Sequence, residues 1–253
     1  MPVPTNHDVE SGILIGTAGW SIPSAATAKF PGEGSHLERY ARRFSAVEIN
    51  SSFHRPHRVG TYRRWAAAVP PEFRFSVKLP RTITHGQRLV AVNDLLAAFS
   101  EEVAGLGDKL AVVLVQLPPS LAFDADVADA FFAALARHIG VSIACEPRHA
   151  TWFTKEADAR LASHRVARVA ADPVLAPGGE RPGGWPGLQY RRLHGSPRTY
   201  YSSYDEAQLR QLATGFQRRG DLTVRRWCIF DNTASGVAAS NALELDALLS
   251  KPR

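Results

Sequence analysis

Short apolar runs alternate with amphipathic stretches along almost the whole chain, and this alternation is the strongest constraint on its fold. Most runs are followed by a segment whose apolar residues recur at helical spacing, such as Tyr62, Trp65 and Ala66. Runs as continuously apolar as "LAVVLVQL" suit strands that are covered on both faces, as in parallel sheets. The eight strand-like runs are 13–17, 46–50, 73–78, 110–118, 141–147, 166–172, 188–195 and 225–232.

Eight βα units in a chain of 253 residues predict a TIM-type (β/α)8 barrel with parallel strands. An open, doubly wound sheet is the alternative that the same alternation allows. The sixth unit is irregular, because residues 173–187, "PVLAPGGERPGGWPG", are typical of a loop and not of a helix. Since repeats and linkers are lacking, we expect a single barrel domain over residues 13–250, preceded by an N-terminal lead-in at residues 1–12.

Composition narrows the setting in which the protein works. The two cysteines, Cys145 and Cys228, lie inside apolar runs and are expected to be reduced core residues. No apolar run of about 18 residues or signal-peptide core occurs, so we expect a cytoplasmic protein without a membrane partner. The net charge of +6 permits binding to nucleic acid, although no recognisable nucleic-acid module is present.

Polar or charged residues close seven of the eight runs, and in a barrel the carboxyl ends of the strands form the site. Side chains alternate along a strand, so Glu48 and Asn50 share a face, as do Arg192 and His194. Buried carboxylates need partners, and we expect pairs such as Glu48–Arg192 or Glu146–Lys78. Such pairs would also organise a site for an anionic or polar ligand. The strand-end residues are Glu48, Asn50, Lys78, Gln116, Glu146, Arg148, Asp172, Arg192, His194, Asp231 and Asn232.

These residues lead to the hypothesis of an enzyme that acts on a phosphorylated or otherwise anionic small molecule, or on a nucleotide-containing substrate. Lys78, Arg148 and Arg192 are expected to hold the anion. Glu48 or Glu146 is the candidate general base, with His194 as its acid/base partner. Asp172 completes the candidate catalytic set. The other candidate substrate-binding residues are Asn50, His85, Gln116, Asn232, Trp20 and Trp152.

Two other classes of function stay open. A nucleic-acid-binding or endonuclease-like barrel is suggested by loop aromatic residues, such as Tyr200 and Tyr201, near Arg198. A non-catalytic ligand-binding or interaction protein is the third hypothesis, in which the strand-end charges only stabilise the barrel.

We predict no cofactor, with a divalent metal as the alternative. Histidines near strand ends could join carboxylates in a metal site, but H-E-x-x-H and cysteine clusters are lacking. The residues considered for this metal site are His54, His57, His85, His149 and His194, with Glu48, Glu146, Asp172 and Asp231.

An ordered series of motifs adds a resemblance to a known family. The series is "IGTAGWS", "FPGEG…LERYA", "VEINSSF", "RWAAAVP", "FRFSVKLPRTITH", "LVQLPPS", "EPRHATWF", "VAADP", "YRRLHG" and "FDNTASGVAASNALEL". From about residue 13 to 249 it resembles the domain-of-unknown-function 72 (DUF72), or YecE-like, family. The resemblance implies a TIM-type barrel without an established activity. Its characteristic polar positions correspond to Glu48, Asn50, Lys78, His85, Gln116, Glu146, Arg148, Asp172, Arg192, His194 and Asn232.

The chain departs from the family pattern at two places near the predicted site. His54 follows "SSF" where family members usually have a tyrosine. The segment "WSIPSAATAKFPG" replaces the commoner "W-x-G-x-F-Y-P". We therefore expect the details of ligand binding to differ from those of relatives.

Overall fold

The computed structural model describes residues 12–217 and 224–250, so residues 1–11 of the predicted lead-in lie outside it. The strands are β1 (Ile13–Thr17), β2 (Ala46–Ile49), β3 (Arg74–Lys78), β4 (Leu110–Gln116), β5 (Ser142–Glu146), β6 (Val166–Arg168), β7 (Ala170–Asp172), β8 (Gly183–Gly184), β9 (Leu188–Leu193) and β10 (Arg225–Phe230). The α-helices are α1 (His36–Ala41), α2 (Val59–Ala67), α3 (Asn93–Val103), α4 (Ala125–His138), α5 (Lys155–Ser163), α6 (Glu206–Gln217) and α7 (Ala238–Leu249). Short 3-10 or π turns lie at Ser24–Lys29, Ser51–Phe53, Thr82–Gly86, Ala104–Lys109 and Ala150–Phe153.

Side-chain caps in the sequence fix where several helices begin. Ser35 and Glu38 form a capping box at the start of α1, in which each side chain accepts a hydrogen bond from the backbone of the other. Asp124 caps α4 by accepting from the Val127 backbone N–H, and Thr154 caps α5 in the same way. These caps end the strand-to-helix loops at defined residues.

The strands form two sheets, in which neighbouring strands run parallel except at the short β8. One sheet has the order β2-β3-β4-β5-β6-β8 and the other the order β1-β10-β9-β7. Strand β8 pairs with β6 in the antiparallel direction. The α/β class with parallel strands is therefore confirmed. The segment 173–187 contains β8 and no helix, as predicted for an irregular sixth unit.

The two sheets connect at two places. Only Val169 separates β6 of one sheet from β7 of the other, so one short run of chain belongs to both. On the opposite side, Ala18 pairs with Glu48 just beyond β1, and the Gly19 backbone N–H donates to the Glu48 carbonyl oxygen at 2.8 Å. The buried Tyr40 hydroxyl reinforces this junction by accepting from the Thr17 N–H and donating to the Ala46 carbonyl.

The strands carry an apolar core on each face, because successive side chains point to opposite sides. On one face, residues such as Val47, Phe75 and Val113 pack in the core that includes the helices. On the other face, Val112, Trp227 and their neighbours form a separate inner core.

Two observations on the described chain concern the cysteines and membrane-spanning segments. Cys145 and Cys228 are free thiols inside these cores, and burial raises the pKa of Cys228 to about 12. Among the described helices, none has the length and apolar character that crossing a bilayer requires.

A substitution at Gly16 tests the junction between β1 and β2. A Cβ at Gly16 would collide with the Ala46 carbonyl oxygen, which belongs to the neighbouring backbone and cannot move aside freely. We expect Gly16→Ala to lower the free energy of unfolding by about 1–3 kcal/mol, measured by urea denaturation. The control is Gly60→Ala in α2, where a Cβ meets no atom within 4 Å. Equal stability of the two variants would contradict this packing.

Candidate active site

Arg192, on β9, is fully buried and donates hydrogen bonds to three carboxylates. Its Nη2 lies 2.7 Å from Glu48 Oε1 and 2.8 Å from Asp231 Oδ2. Its Nη1 lies 2.6 Å from Glu146 Oε2, and its Nε donates to the second oxygen of Glu48 at 3.1 Å. All three nitrogens of the guanidinium are therefore engaged. We call this group, with the two cationic residues that surround it, the Arg192 cluster: Arg192, Glu48, Glu146, Asp231, Arg148 and His194.

The cluster joins the two sheets. Arg192 and Asp231 come from β9 and from the end of β10 in one sheet, whereas Glu48 and Glu146 come from β2 and β5 in the other. Each side chain follows from the alternation of its strand, since Arg192 stands opposite Ile229 in register and Asp231 is two residues further on the same face. The predicted Glu48–Arg192 pair is confirmed.

Arg148 and His194 complete the charge balance of the cluster. Arg148 directs Nε and Nη2 at Glu146 Oε1, at 3.1 and 2.7 Å. The two ring nitrogens of His194 lie 3.0 Å from Asp231 Oδ2 and 3.1 Å from Glu146 Oε1. Because both nitrogens face carboxylate oxygens, the geometry favours the doubly protonated imidazolium.

The pKa values of the cluster follow from competition between burial and neighbouring charges. Burial would lower the pKa of His194, but the charge of Glu146 and the hydrogen bonds with Asp231 and Glu146 outweigh it and raise that pKa. Burial would raise the pKa of Glu146, yet Arg192, Arg148 and His194 hold it well below its usual range. Asp231 behaves likewise beside Arg192 and His194, and its pKa is lowered. Glu146 and Asp231 therefore stay ionised at neutral pH.

Glu48 is enclosed on its remaining side by Tyr190, for which the strand-end pattern predicts no role. The Tyr190 hydroxyl donates to Glu48 Oε2 at 2.8 Å and lies 3.0 Å from Ser76 Oγ. Tyr190 stacks on Trp227, with ring centroids 5.7 Å apart, and both are fully buried. The alternation of side chains along β9, which places Tyr190 on the same side of the strand as Arg192, is the sequence feature that indicates its position beside the cluster. The carboxylates of Glu48 and Glu146, for which a general-base role is predicted, are both buried and bonded to Arg192, and that role stays a prediction.

Lys78 lies at the end of β3, and its side chain points to the same side of the strand as that of Ser76. It is only 8% exposed. Within the described chain it forms no ion pair, so the predicted Glu146–Lys78 pair is wrong. Its Nζ lies 4.1 Å from the centroid of the Phe53 ring. Burial, and next the positive charge of Arg192, lower the pKa of Lys78 to about 8, although the carboxylates of the cluster oppose this.

Two of the predicted binding residues, His85 and Asn50, lie near Lys78, and a third, Gln116, lies beside Glu146. The half-buried His85 packs its ring on Phe53 at 5.1 Å between centroids, and burial, then Lys78, lower its pKa. Asn50 follows the Ile49–Val77 pair in the register of β2 and β3 and so comes next to Lys78. Its Oδ1 is buried without a hydrogen-bond partner. Gln116 is half-buried and pairs with Glu146 in the register of β4 and β5.

Asp172 and Asn232 are strand-end residues that the structure places outside the cluster. Ala171 is the residue that faces Arg192 in register, so Asp172 points to the other side of the strand. There it accepts a hydrogen bond from the Tyr204 hydroxyl at 2.6 Å and lines a separate cavity of ≈ 340 Å³. Asn232 follows the inward-facing Asp231 and donates to the Ser202 carbonyl and to Asn241 Oδ1. Both residues anchor loops.

The two predicted binding tryptophans pack within the protein. Trp152 is 1% exposed, and its indole N–H donates to the Leu121 carbonyl oxygen at 2.9 Å. Trp20 packs edge-on against Trp65 of α2, with ring centroids 5.0 Å apart. Their positions after strands suggested a binding role, but these contacts make Trp152 a core residue and hold Trp20 against a helix.

The histidines considered for a metal site are dispersed. In residues 12–217 and 224–250, no group of three or more His, Cys, Asp or Glu side chains is arranged to hold a metal ion. His54 is exposed, His57 lies 2.8 Å from Ser51 Oγ, and His149 accepts from the Thr151 N–H. The cluster carboxylates, which include Glu48 and Glu146, are bonded to guanidinium groups instead.

A parallel α/β fold with a buried ionic cluster at the carboxyl ends of its strands thus defines the class of this protein. The chain belongs to the family described as "Protein of unknown function DUF72", whose sequence model matches residues 14–253. The resemblance seen in the motifs is therefore confirmed.

Two related proteins are similar in sequence to part of this chain. The UPF0759 protein YecE of Escherichia coli (strain K12) is 31% identical over 106 residues, which cover 42% of this chain and 38% of that protein. The UPF0759 protein YunF of Bacillus subtilis (strain 168) is 27% identical over 150 residues, 56% of this chain and 52% of that protein. The matched parts therefore span less than two thirds of these relatives.

Solved structures share the fold over almost the full chain. A DUF72 family protein from Enterococcus faecalis V583 aligns with a TM-score of 0.78 and 20% identity, over 95% of this chain and 96% of that one. A second DUF72 family protein, from Thermotoga maritima MSB8, aligns with a TM-score of 0.76 and 23% identity, over 94% of this chain and 99% of that one. A sugar phosphate isomerase/epimerase from Parabacteroides distasonis ATCC 8503 aligns with a TM-score of 0.55 and 10% identity, over 94% of this chain and 96% of that one.

Removing the Arg192 guanidinium should strongly destabilise the protein. Arg192→Met leaves three buried carboxylates without their shared cation, and breaking a buried ion pair costs about 3–5 kcal/mol. The exposed Arg210–Glu206 pair of α6 is the control, and Arg210→Met should cost only about 0.3–0.5 kcal/mol. Urea unfolding measures both free energies. Similar losses in the two variants would contradict the structural role of the cluster.

The contribution of His194 to the stability of the folded protein should decrease as the pH rises. Because its folded-state pKa is raised above the ordinary value of about 6.5, its contribution is complete below that pH and is lost as the pH rises through the raised pKa. Melting temperatures of wild type and His194→Gln, measured from pH 6 to 10, should therefore converge at high pH. The exposed His54→Gln variant serves as control. A constant difference between wild type and His194→Gln would contradict the assignment.

Proposed function

We propose that this protein is an enzyme that binds a small anionic molecule, such as a phosphorylated one, at the carboxyl ends of its strands. The observation that carries the proposal is the unpaired Lys78 beside a cluster whose other charges are matched. The three carboxylates of the cluster offset Arg192, Arg148 and protonated His194. Lys78 is a further positive charge that has no carboxylate partner in the described chain, and an anionic ligand would neutralise it.

We also infer that the two sheets form one (β/α)8 barrel. The continuous run through β6 and β7 supports this, as does the Ala18–Glu48 pairing at the other junction. The bonds of Arg192 to both sheets support it further. With β6 and β7 counted as one strand and β8 as part of a loop, eight strands remain. Their carboxyl ends then converge on one mouth, where such barrels bind their ligands.

The anion-binding residues differ from those predicted from the sequence alone. Arg192 cannot serve, because all its nitrogens are engaged and it is buried. Arg148 retains capacity, since its side chain is 17% exposed and its Nη1 has no hydrogen-bond partner in the described chain. Lys78 and Arg148 are therefore the cations that would bind the ligand, one from β3 and the other from the loop after β5.

Proton transfer at this site falls to residues near Lys78. The carboxylates of the cluster are enclosed, and the low pKa of Glu146 makes it a weak base. His85 is half-buried, and its lowered pKa keeps it neutral at pH 7, so it can accept a proton. The substrate class is consistent with the fold shared with a sugar phosphate isomerase/epimerase, because a sugar phosphate is a small anionic molecule.

A nucleic-acid partner is the second candidate. Tyr200 and Tyr201, in the loop after β9, are 40% and 46% exposed, and the Arg198 guanidinium lies 4.0 Å from the Tyr201 ring. Exposed aromatic rings beside arginine can stack bases while the charges meet phosphates. Oligonucleotide affinity that falls steeply with salt would support this candidate, and salt-independent affinity would count against it.

Anion binding can be measured with inorganic phosphate and a panel of sugar phosphates by calorimetry. Lys78→Met and Arg148→Met should each weaken binding roughly 10- to 150-fold, because a charge-assisted hydrogen bond contributes about 1.5–3 kcal/mol. Binding to wild type should also weaken above pH 8, as Lys78 loses its proton. The control is Lys155→Met, an exposed lysine at the start of α5. Wild-type affinity in both site variants would overturn the proposal.

A further inference from the structure

We propose that Lys78 is a nucleophile that forms an imine with its substrate, which is then an anionic aldehyde or ketone. This inference rests on the proposed function, because it names the substrate class of the same site. A lysine forms an imine readily when its amine reaches the ligand and sheds its proton near neutral pH, and an ion-pair partner would oppose that loss.

The loop after β2 holds the amine in place. The Ser52 hydroxyl donates to the Lys78 backbone carbonyl at 2.6 Å and so ties the Ser51–Phe53 turn to the end of β3. This contact places the Phe53 ring against the ammonium. The side chain is therefore fixed by packing, which limits the conformational freedom that it would lose on reaction.

The surroundings raise the fraction of Lys78 that is present as the neutral amine. A carboxylate beside Lys78 would hold it protonated, but the cluster carboxylates are bonded to Arg192, Arg148 and His194. With a pKa of about 8, about a tenth of Lys78 is unprotonated at pH 7, compared with less than about 0.1% of an ordinary lysine.

A comparison with Lys109 sets Lys78 apart among the five lysines of the chain. Lys109 is also partly buried, but its Nζ donates to the Ala66 and Val69 carbonyl oxygens at 2.6 Å. Those hydrogen bonds require the amine protons and explain Lys109 as a structural residue. Lys29 and Lys155 are exposed. Lys78 is the described lysine that is enclosed without a hydrogen-bond acceptor for its amine.

Groups for the remaining steps surround Lys78. Asn50 follows the Ile49–Val77 pair in register, and its buried Oδ1, which has no hydrogen-bond partner, would accept the N–H of an imine at Lys78. His85, neutral at pH 7, can accept a proton from the reacting nitrogen or from a substrate carbon. Arg148 offers Nη1 for the anionic group of the substrate, which frees Lys78 for the carbonyl carbon.

The chemistry balances without a redox partner. The amine lone pair attacks the carbonyl carbon, a C–N bond forms, and the carbonyl oxygen takes up a proton. The nitrogen then passes a proton to His85, the oxygen takes a second proton and leaves as water, and the C=N bond forms. Carbonyl, neutral amine and one proton thus give a protonated imine and water. The protonated imine withdraws electrons from the adjacent carbon, which serves enolisation, isomerisation or cleavage of a carbon–carbon bond.

Trapping with pyridoxal 5′-phosphate, an aldehyde that carries a phosphate, tests the inference. The full-length protein is incubated with the reagent at pH 7.5, reduced with borohydride and mapped by mass spectrometry at all five lysines. We expect labelling of Lys78 at least ten times faster than that of Lys29 or Lys155, and protection by inorganic phosphate. Lys155→Arg should keep the fast labelling, whereas Lys78→Arg should lose it and still bind phosphate.

The outcomes separate this inference from the function on which it rests. Labelling of Lys78 no faster than of Lys29, in wild type that still binds phosphate, would overturn the imine and leave the anion site in place. Absence of both phosphate binding and fast labelling would overturn both. Because these comparisons use wild-type protein, they do not depend on how well Lys78→Arg folds.

Discussion

Arg192 lies between the two sheets and donates to carboxylates from three other segments of the chain, and the arrangement of the site depends on this interaction. A guanidinium suits the position because its planar array of donors can serve several oxygens at once. Replacing it would leave buried negative charges on both sheets, so stability and site geometry are coupled. The same bonding engages Arg192, Glu48 and Glu146 with one another inside the cluster.

The matched charges of the cluster give Lys78 its distinct position. A charged amine in a buried position normally acquires a carboxylate partner, because desolvation is costly. Here the nearby carboxylates already have cationic partners, and Lys78 instead contacts Phe53. An amine in this state either binds an anion or gives up its proton, and both responses are useful in an active site. In the proposed function, the cluster therefore supports the site, and the reactive groups lie at its edge.

Much of this arrangement could be predicted from sequence, and the part that could not has a physical explanation. Alternating apolar runs and helical segments predicted the parallel α/β class, and polar strand ends predicted the Glu48–Arg192 pair. Position at a strand end alone predicts that Asp172 and Asn232 belong to the site. The alternation of side chains along each strand turns both of them to the other face. The lack of an ion pair at Lys78 could not be predicted from the sequence, because it depends on which cations Glu146 binds in three dimensions.

Lys78 is an enclosed amine without an ion pair in the described chain, and the titration of this amine is the decisive measurement. With 13C-labelled lysine, the five side chains give few enough NMR signals to follow individually, and Lys78→Arg identifies one of them. We expect this signal to titrate at about 8, and saturating phosphate to move its midpoint upward. Titration of Lys78 at the ordinary lysine value of about 10.4, unchanged by phosphate, would contradict it.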